Sequence, residues 1–148
     1  MFLIPVKFQK LRPTAKLPEQ GSDMAAGYDI FACMSDCLWI EPHETKKIGT
    51  GLAAAPPYDF WIGIFARSGL ATKEGLRPAN CVGVVDPDYR GEIIVAVHND
   101  SEETRIIKPD EKIGQLILIP RYKMVIDEVS DLEETERGSG GFGSTGKM

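Results

Sequence analysis

Val82-Gly83-Val84-Val85-Asp86-Pro87-Asp88-Tyr89-Arg90-Gly91-Glu92-Ile93-Ile94-Val95-Ala96-Val97-His98 places two β-branched runs, Val82–Val85 and Ile93–His98, on either side of an Asp-Pro-Asp-Tyr turn signal. Val and Ile fit a pleated, half-buried surface. Asp and Pro each set a turn, one by bonding its own backbone and the other by fixing φ. The same grammar extends outward in both directions. Further short runs occur at Ile4–Lys7, Tyr28–Phe31, Leu38–Ile40, Thr45–Ile48, Phe60–Phe65, Arg105–Ile107 and Gln115–Pro120, and Pro or Gly fills nearly every gap. This spacing predicts an all-β sandwich, barrel or jelly roll. One short helix is expected over Ser68–Glu74, with Ser68 as N-cap and Gly75 as its C-terminal stop. There is no internal repeat.

A chain of 148 residues is expected to form one domain with a sizeable core. Its net charge of −5 argues against a non-specific nucleic-acid binder, which needs a basic surface. An anionic substrate would need locally placed cations or a metal ion. No apolar stretch approaches a membrane span, and the start, Met1 to Lys7, lacks the long apolar region of a signal peptide. Cys33, Cys37 and Cys81 form no paired C-x-x-C, and His43 and His98 stand apart from them. Three reduced thiols in an intracellular, reducing compartment fit this better than zinc. The expected location is cytoplasmic, or nuclear for a eukaryotic or viral source.

The stretch Arg137-Gly138-Ser139-Gly140-Gly141-Phe142-Gly143-Ser144-Thr145-Gly146-Lys147 carries five glycines, one aromatic and a cation at each end. Consecutive exposed N–H groups in such a run form an anion-binding nest, and Arg adds a bidentate phosphate fork. Gly141 to Lys147 spells the start of a Walker A loop, and Gly138, Gly140 and Gly143 spell G-x-G-x-x-G. Both motifs need a helix after them, and the sequence stops at Met148. Two readings stay open on composition: a phosphate-closing tail, or a disordered Gly/Ser terminus. Asp127–Glu136 is acidic and reads as a linker to that tail.

Four other segments mix Gly with charged or polar residues beside an apolar run. They are Ala25-Ala26-Gly27-Tyr28-Asp29-Ile30, Ala66-Arg67-Ser68-Gly69-Leu70, Gly83 to Gly91, and Lys112-Ile113-Gly114-Gln115-Leu116. Singly each passes for a turn or a cap. In this order, with the tail, they closely resemble the five motifs of the trimeric deoxyuridine triphosphatase (dUTPase) family, from about Gly21 to Gly146. Two positions depart from the pattern: Lys112, where the family more often has Arg, and Ala66, where Gly is frequent.

The resemblance implies a distorted jelly-roll or β-barrel with one short helix, assembling as a homotrimer. Residues 1–126 would be the core, and residues 127–148 the linker and a flexible Gly-rich lid. It implies hydrolysis of dUTP to dUMP and pyrophosphate, keeping dUTP out of DNA and supplying dUMP for thymidylate synthesis. Asp86 matches the carboxylate that orients the attacking water; on sequence alone it also passes for a turn Asp. Arg67, Ser68, Gly69, Gln115, Arg137, Ser144 and Thr145 match phosphate contacts. Asn80, Gly83, Val85, Asp86, Tyr89 and Phe142 match contacts to uracil and deoxyribose, on a hairpin from about Asn80 to Tyr89 with Phe142 closing over the base. Asp29 would stand in the outer sphere of Mg²⁺ or orient a neighbouring cation, and the ion itself would be held mainly by substrate phosphates and waters. Each site would draw on three subunits. No direct nucleic-acid or membrane partner is expected. Three other readings remain: a dCTP deaminase of the same fold, a non-catalytic nucleotide sensor, and a purely structural trimer.

Overall fold

The computed structural model describes residues 3–141. Phe142, Ser144 and Thr145 therefore lie outside the described residues. The elements run β1 (Lys7–Lys10), β2 (Glu19–Gln20), β3 (Tyr28–Phe31), β4 (Leu38–Ile40), β5 (Thr45–Gly49), β6 (Leu52–Ala55) and β7 (Phe60–Phe65). After these come α1 (Ser68–Glu74), β8 (Leu76–Pro78), β9 (Gly83–Val85), β10 (Ile94–Asn99), β11 (Arg105–Ile107) and β12 (Lys112–Pro120). The protein is thus mostly strand with one short helix.

The strands form a five-stranded sheet, β2-β3-β12-β7-β9, a three-stranded sheet, β5-β10-β8, and two pairs, β1-β6 and β11-β4. All pairings are antiparallel. Period-two alternation turns one face of each strand inward. On β10 it buries Val95, Val97 and Asn99. Ile30, Ile40, Ile62, Leu76, Ile93, Val95, Val97, Ile107 and Ile113 meet in one core. Asn99 is the polar member of that interior and is fully satisfied. Its Nδ2 donates to Ile40 O at 2.9 Å and Glu103 O at 2.8 Å, and its Oδ1 accepts from Ser101 N at 2.9 Å and Ser101 Oγ at 2.7 Å. A fully bonded buried amide fixes where the chain leaves β10.

Tyr28–Phe31, Leu38–Ile40, Phe60–Phe65, Arg105–Ile107 and the helix have the bounds the sequence suggests. The first strand does not: it forms at Lys7–Lys10, opposite Ala55–Leu52, rather than at Ile4–Lys7. Pro5 has no N–H to give a ladder. β6 is absent from the expected strands, because Leu-Ala-Ala-Ala has helical propensity; here burial overrides it. β2 and β8 are too short, and β8 too close to Pro, to stand out.

The expected N-cap also moves by one residue. Arg67 holds that position, with φ −87° and ψ 128°, and no side chain caps the helix. Ser68 is already helical, and its carbonyl accepts a bond from Thr72 Oγ1 at 2.7 Å. Gly75 closes the helix with φ 71°, its N–H on Leu70 O.

The segment from Asn80 to Tyr89 is not a closed hairpin. The strand before it, β8, pairs with β10, and β9 pairs with β7. The loop crosses between two sheets and leaves β9 as an edge strand.

Candidate active site

β12 carries a bulge between Lys112 and Gly114. An extra residue there re-aims the rest of the strand, so that Gln115 lies opposite Asp29 on β3 and Phe65 on β7 at once. This one register places the first, second and fourth motifs side by side. Asp29 is the hub. Its Oδ1 accepts from Arg67 Nε at 2.9 Å, and its Oδ2 lies 2.7 Å from Lys112 Nζ. The Asp29 side chain is largely buried, while both cations keep part of their surface in solvent. One carboxylate thus holds two cations at the start of α1, with one positive charge in surplus. Gln115 Nε2 donates to Ala66 O at 2.9 Å, beside Arg67. Ser68 and Gly69 come next, on an exposed turn. A Cβ on Gly69 would meet nothing within 4 Å, so its backbone is open to a ligand.

The second cluster lies along β9. Gly83 is buried against Ile64, where an added Cβ would lie 3.0 Å from Ile64 Cβ and 3.5 Å from Asn80 Nδ2. Val84 points outward and Val85 into the core. Among the described residues β9 is paired on one side only, so its other side presents backbone donors and acceptors. Asp86 comes next, exposed and without an ion pair among the described residues. It lines a cavity of about 500 Å³ with Pro56, Tyr58, Asp88, Arg90 and Arg121. Arg121 stacks 4.2 Å from the Tyr58 ring centroid. Tyr89 N–H bonds Asp86 O at 3.1 Å, and Tyr89 O–H donates to Glu92 O at 3.0 Å. The tyrosine is therefore held at both ends, with one face exposed.

Arg137 does not join either cluster. Its Nε donates to Gly140 O at 2.9 Å, and Gly138, at φ 53°, bonds Thr135. Among the described residues after Arg121, whose N–H reaches Asp59 O at 2.7 Å, the hydrogen bonds stay within the tail.

The sequence that builds these clusters is similar to that of known proteins. A family model described as dUTPase matches residues 14–146. The chain belongs to the dUTPase family. It is 44% identical over 142 residues to the deoxyuridine 5'-triphosphate nucleotidohydrolase of Nautilia profundicola, covering 96% of this chain and 99% of that one. The corresponding protein of Rickettsia felis is 42% identical over 147 residues, with 99% of each chain covered. Among solved structures, a mutant dUTPase of Staphylococcus bacteriophage 80alpha with dUpNHpp superposes with a TM-score of 0.87 at 26% identity, over 97% of this chain and 99% of that chain.

Against that family pattern, Lys112 does here what a cation must: it pairs with Asp29. Ala66 takes part through its carbonyl, which accepts from Gln115. The sequence does not reveal Tyr58 and Arg121 beside Asp86. Neither sits in a motif, and Arg121 comes directly after the strand that pairs with β7. Among the described residues no group of three or more His, Cys, Asp or Glu is arranged to hold a metal. No helix of the described residues is long and apolar enough to cross a membrane.

Proposed function

We propose that this chain hydrolyses dUTP to dUMP and pyrophosphate as a homotrimer, with Asp86 orienting the attacking water. Family membership carries the enzyme class. The observation that carries the site is the division of labour between the two clusters.

The Asp29–Arg67–Lys112 group, with Gln115, serves the phosphates. Two cations steadied by one largely buried carboxylate, plus an amide, can hold an anion without collapsing onto it. The free edge of β9 serves the base. A strand edge offers the donors and acceptors that uracil's N3–H and carbonyls need, as another strand would. Asn80 supplies a side-chain amide at its entrance and favours uracil over cytosine, and Gly83 and Val85 shape the slot. Tyr89, held by Glu92, packs under the sugar and excludes a 2′-hydroxyl.

Asp86 is exposed and acceptor-only when ionised, so it can hold a water in line with the α-phosphorus. Both Asp29 oxygens face cations, which supports a role for Asp29 in the outer sphere of the metal or in orienting those cations. The donor set fits Mg²⁺ brought in on the triphosphate. When bound, that ion supplies charge neutralisation at the phosphates.

Distance supports a shared site. Asp86 and Gln115 stand at opposite ends of β7 and two strand spacings apart, roughly 15 Å between backbones. One nucleotide would have to bridge that gap within a single chain. Sharing between subunits removes it. Tyr122, Met124, Val125 and Ile126 support the same assembly, since Val125 is 94% and Ile126 88% exposed in the single chain. In this reading residues 1–126 form the core and 127–148 the linker and lid. Arg137, Ser144 and Thr145 meet the terminal phosphate and Phe142 covers the base.

The test is pyrophosphate release with Mg²⁺ from dUTP, dTTP, dCTP and UTP in parallel. Release from dUTP alone supports the proposal. Ammonia from dCTP would point to a deaminase, and binding without release to a sensor.

A further inference from the structure

We infer that Arg77 and Asp100, which lie outside all five motifs, form a clamp that sets the base-recognising loop and so tunes the choice of uracil over cytosine. The inference rests on the role of Asn80 proposed above.

β8 lies against β10 with Arg77 opposite His98 and Leu76 opposite Asn99. Asp100 comes directly after the fully bonded Asn99, and its N–H reaches Gly75 O at 2.8 Å. Its position is thus fixed by the core. Arg77 grips it with two parallel bonds, Nε to Oδ2 at 2.6 Å and Nη2 to Oδ1 at 3.0 Å. A planar guanidinium locked in this way has its third nitrogen aimed. Nη1 points into the turn, donating to Pro78 O at 3.2 Å and Cys81 Sγ at 3.4 Å.

That turn needs holding. Cys81 has φ 50°, a left-handed conformation that a non-glycine residue adopts at a cost. Pro78 O also accepts Cys81 N–H at 3.3 Å, and Val82 N–H bonds Asn80 O at 2.5 Å. Asn80 is therefore bracketed by two residues that Nη1 touches, and the edge strand begins three residues later. A lysine at position 77 would keep the charge but could not bond the carboxylate twice and the turn once.

The clamp is exposed, and a solvent-facing ion pair ordinarily adds little stability. This separates positioning from a merely structural role. Arg77→Lys and Asp100→Asn trimers should unfold within a few degrees of wild type, about the shift expected of a surface pair. Their kcat for dUTP should stay within about threefold, while KM rises and the dUTP-over-dCTP ratio of kcat/KM falls by about tenfold, as a misaimed polar contact implies. The double variant should be no worse than the poorer single one, because both break one device.

Asn80→Ala is measured alongside. If it collapses the ratio and Arg77→Lys leaves ratio and KM unchanged, the clamp is overturned and the Asn80 reading stands. If Asn80→Ala leaves the ratio unchanged, both fall. A loss in Arg77→Lys confined to thermal stability also overturns the clamp.

Discussion

Gln115 occupies the space in which a side chain on Gly27 would lie. A Cβ built on Gly27 would stand 2.5 Å from Gln115 Oε1, while the same amide's Nε2 donates to Ala66 O at 2.9 Å. The bond to Ala66 O fixes which way the amide faces, and the missing side chain at Gly27 leaves room for it. Gly27→Ala should push away the far end of a flexible side chain and leave the fold intact. kcat/KM for dUTP should fall by about 10- to 100-fold, the scale of a misplaced contact. Gln115→Ala should cost about the same, and the pair together no more. Additive losses in steady-state kinetics would show that Gly27 acts elsewhere.

Asp86→Asn keeps the size of the side chain and removes the charge to which the proposed role assigns the attacking water. Because Asp86 makes no ion pair among the described residues, folding should not change. Pyrophosphate release should fall by roughly 10²- to 10⁴-fold. Affinity for a non-hydrolysable dUTP analogue, read by calorimetry, should stay within a few-fold. Turnover near the wild-type rate would remove Asp86 from the chemistry.

Asp29→Ala frees Arg67 and Lys112 from their shared partner. Because both cations reach solvent, the stability loss should be only about 1–2 kcal/mol by urea unfolding. The larger effect should be on KM for dUTP, since neither cation is then aimed. Lys112→Ala alone should leave the Arg67–Asp29 bond and raise KM less. Equal KM effects from the two variants would contradict the hub arrangement.

The strands carried by β-branched and aromatic runs are legible in the sequence, because local propensity and burial agree there: Phe60–Phe65 and Tyr28–Phe31 have their expected bounds. Leu52–Ala55 is not, since a leucine and three alanines prefer a helix until neighbours bury them. The family motifs point to Asp29, Arg67 and Gln115, but not to the bulge at Lys112–Gly114 that brings them together. Register is a tertiary property, and a one-residue slip would have reversed every face. The hairpin over Asn80–Tyr89 is what the family resemblance implies, whereas strand partners are chosen by the whole sheet, and here β8 pairs with β10 and β9 with β7.

Glu92 comes after the Asp86–Gly91 loop and anchors it. Its carboxylate takes two bonds from Arg12 and one from Gly51 N–H, the last at 2.7 Å, where Gly51 has φ 68°. The hydrogen bonds from Arg12, and after them that from Gly51, hold the Glu92 carboxyl below its ordinary value of 4.5. A group lowered on folding adds stability that is present above its unfolded value and is lost as pH falls through the folded one. The urea midpoint should therefore be insensitive to this group from neutral pH to about pH 5 and should fall below that. Glu92→Gln should be less stable at neutral pH and lose less on acidification, so the two curves converge as pH falls through the folded-state value. Asp100, also lowered by Arg77, is present in both proteins. The difference between the curves therefore isolates Glu92. Parallel curves across the acid range would mean that the Arg12–Glu92 pair does not stabilise the fold.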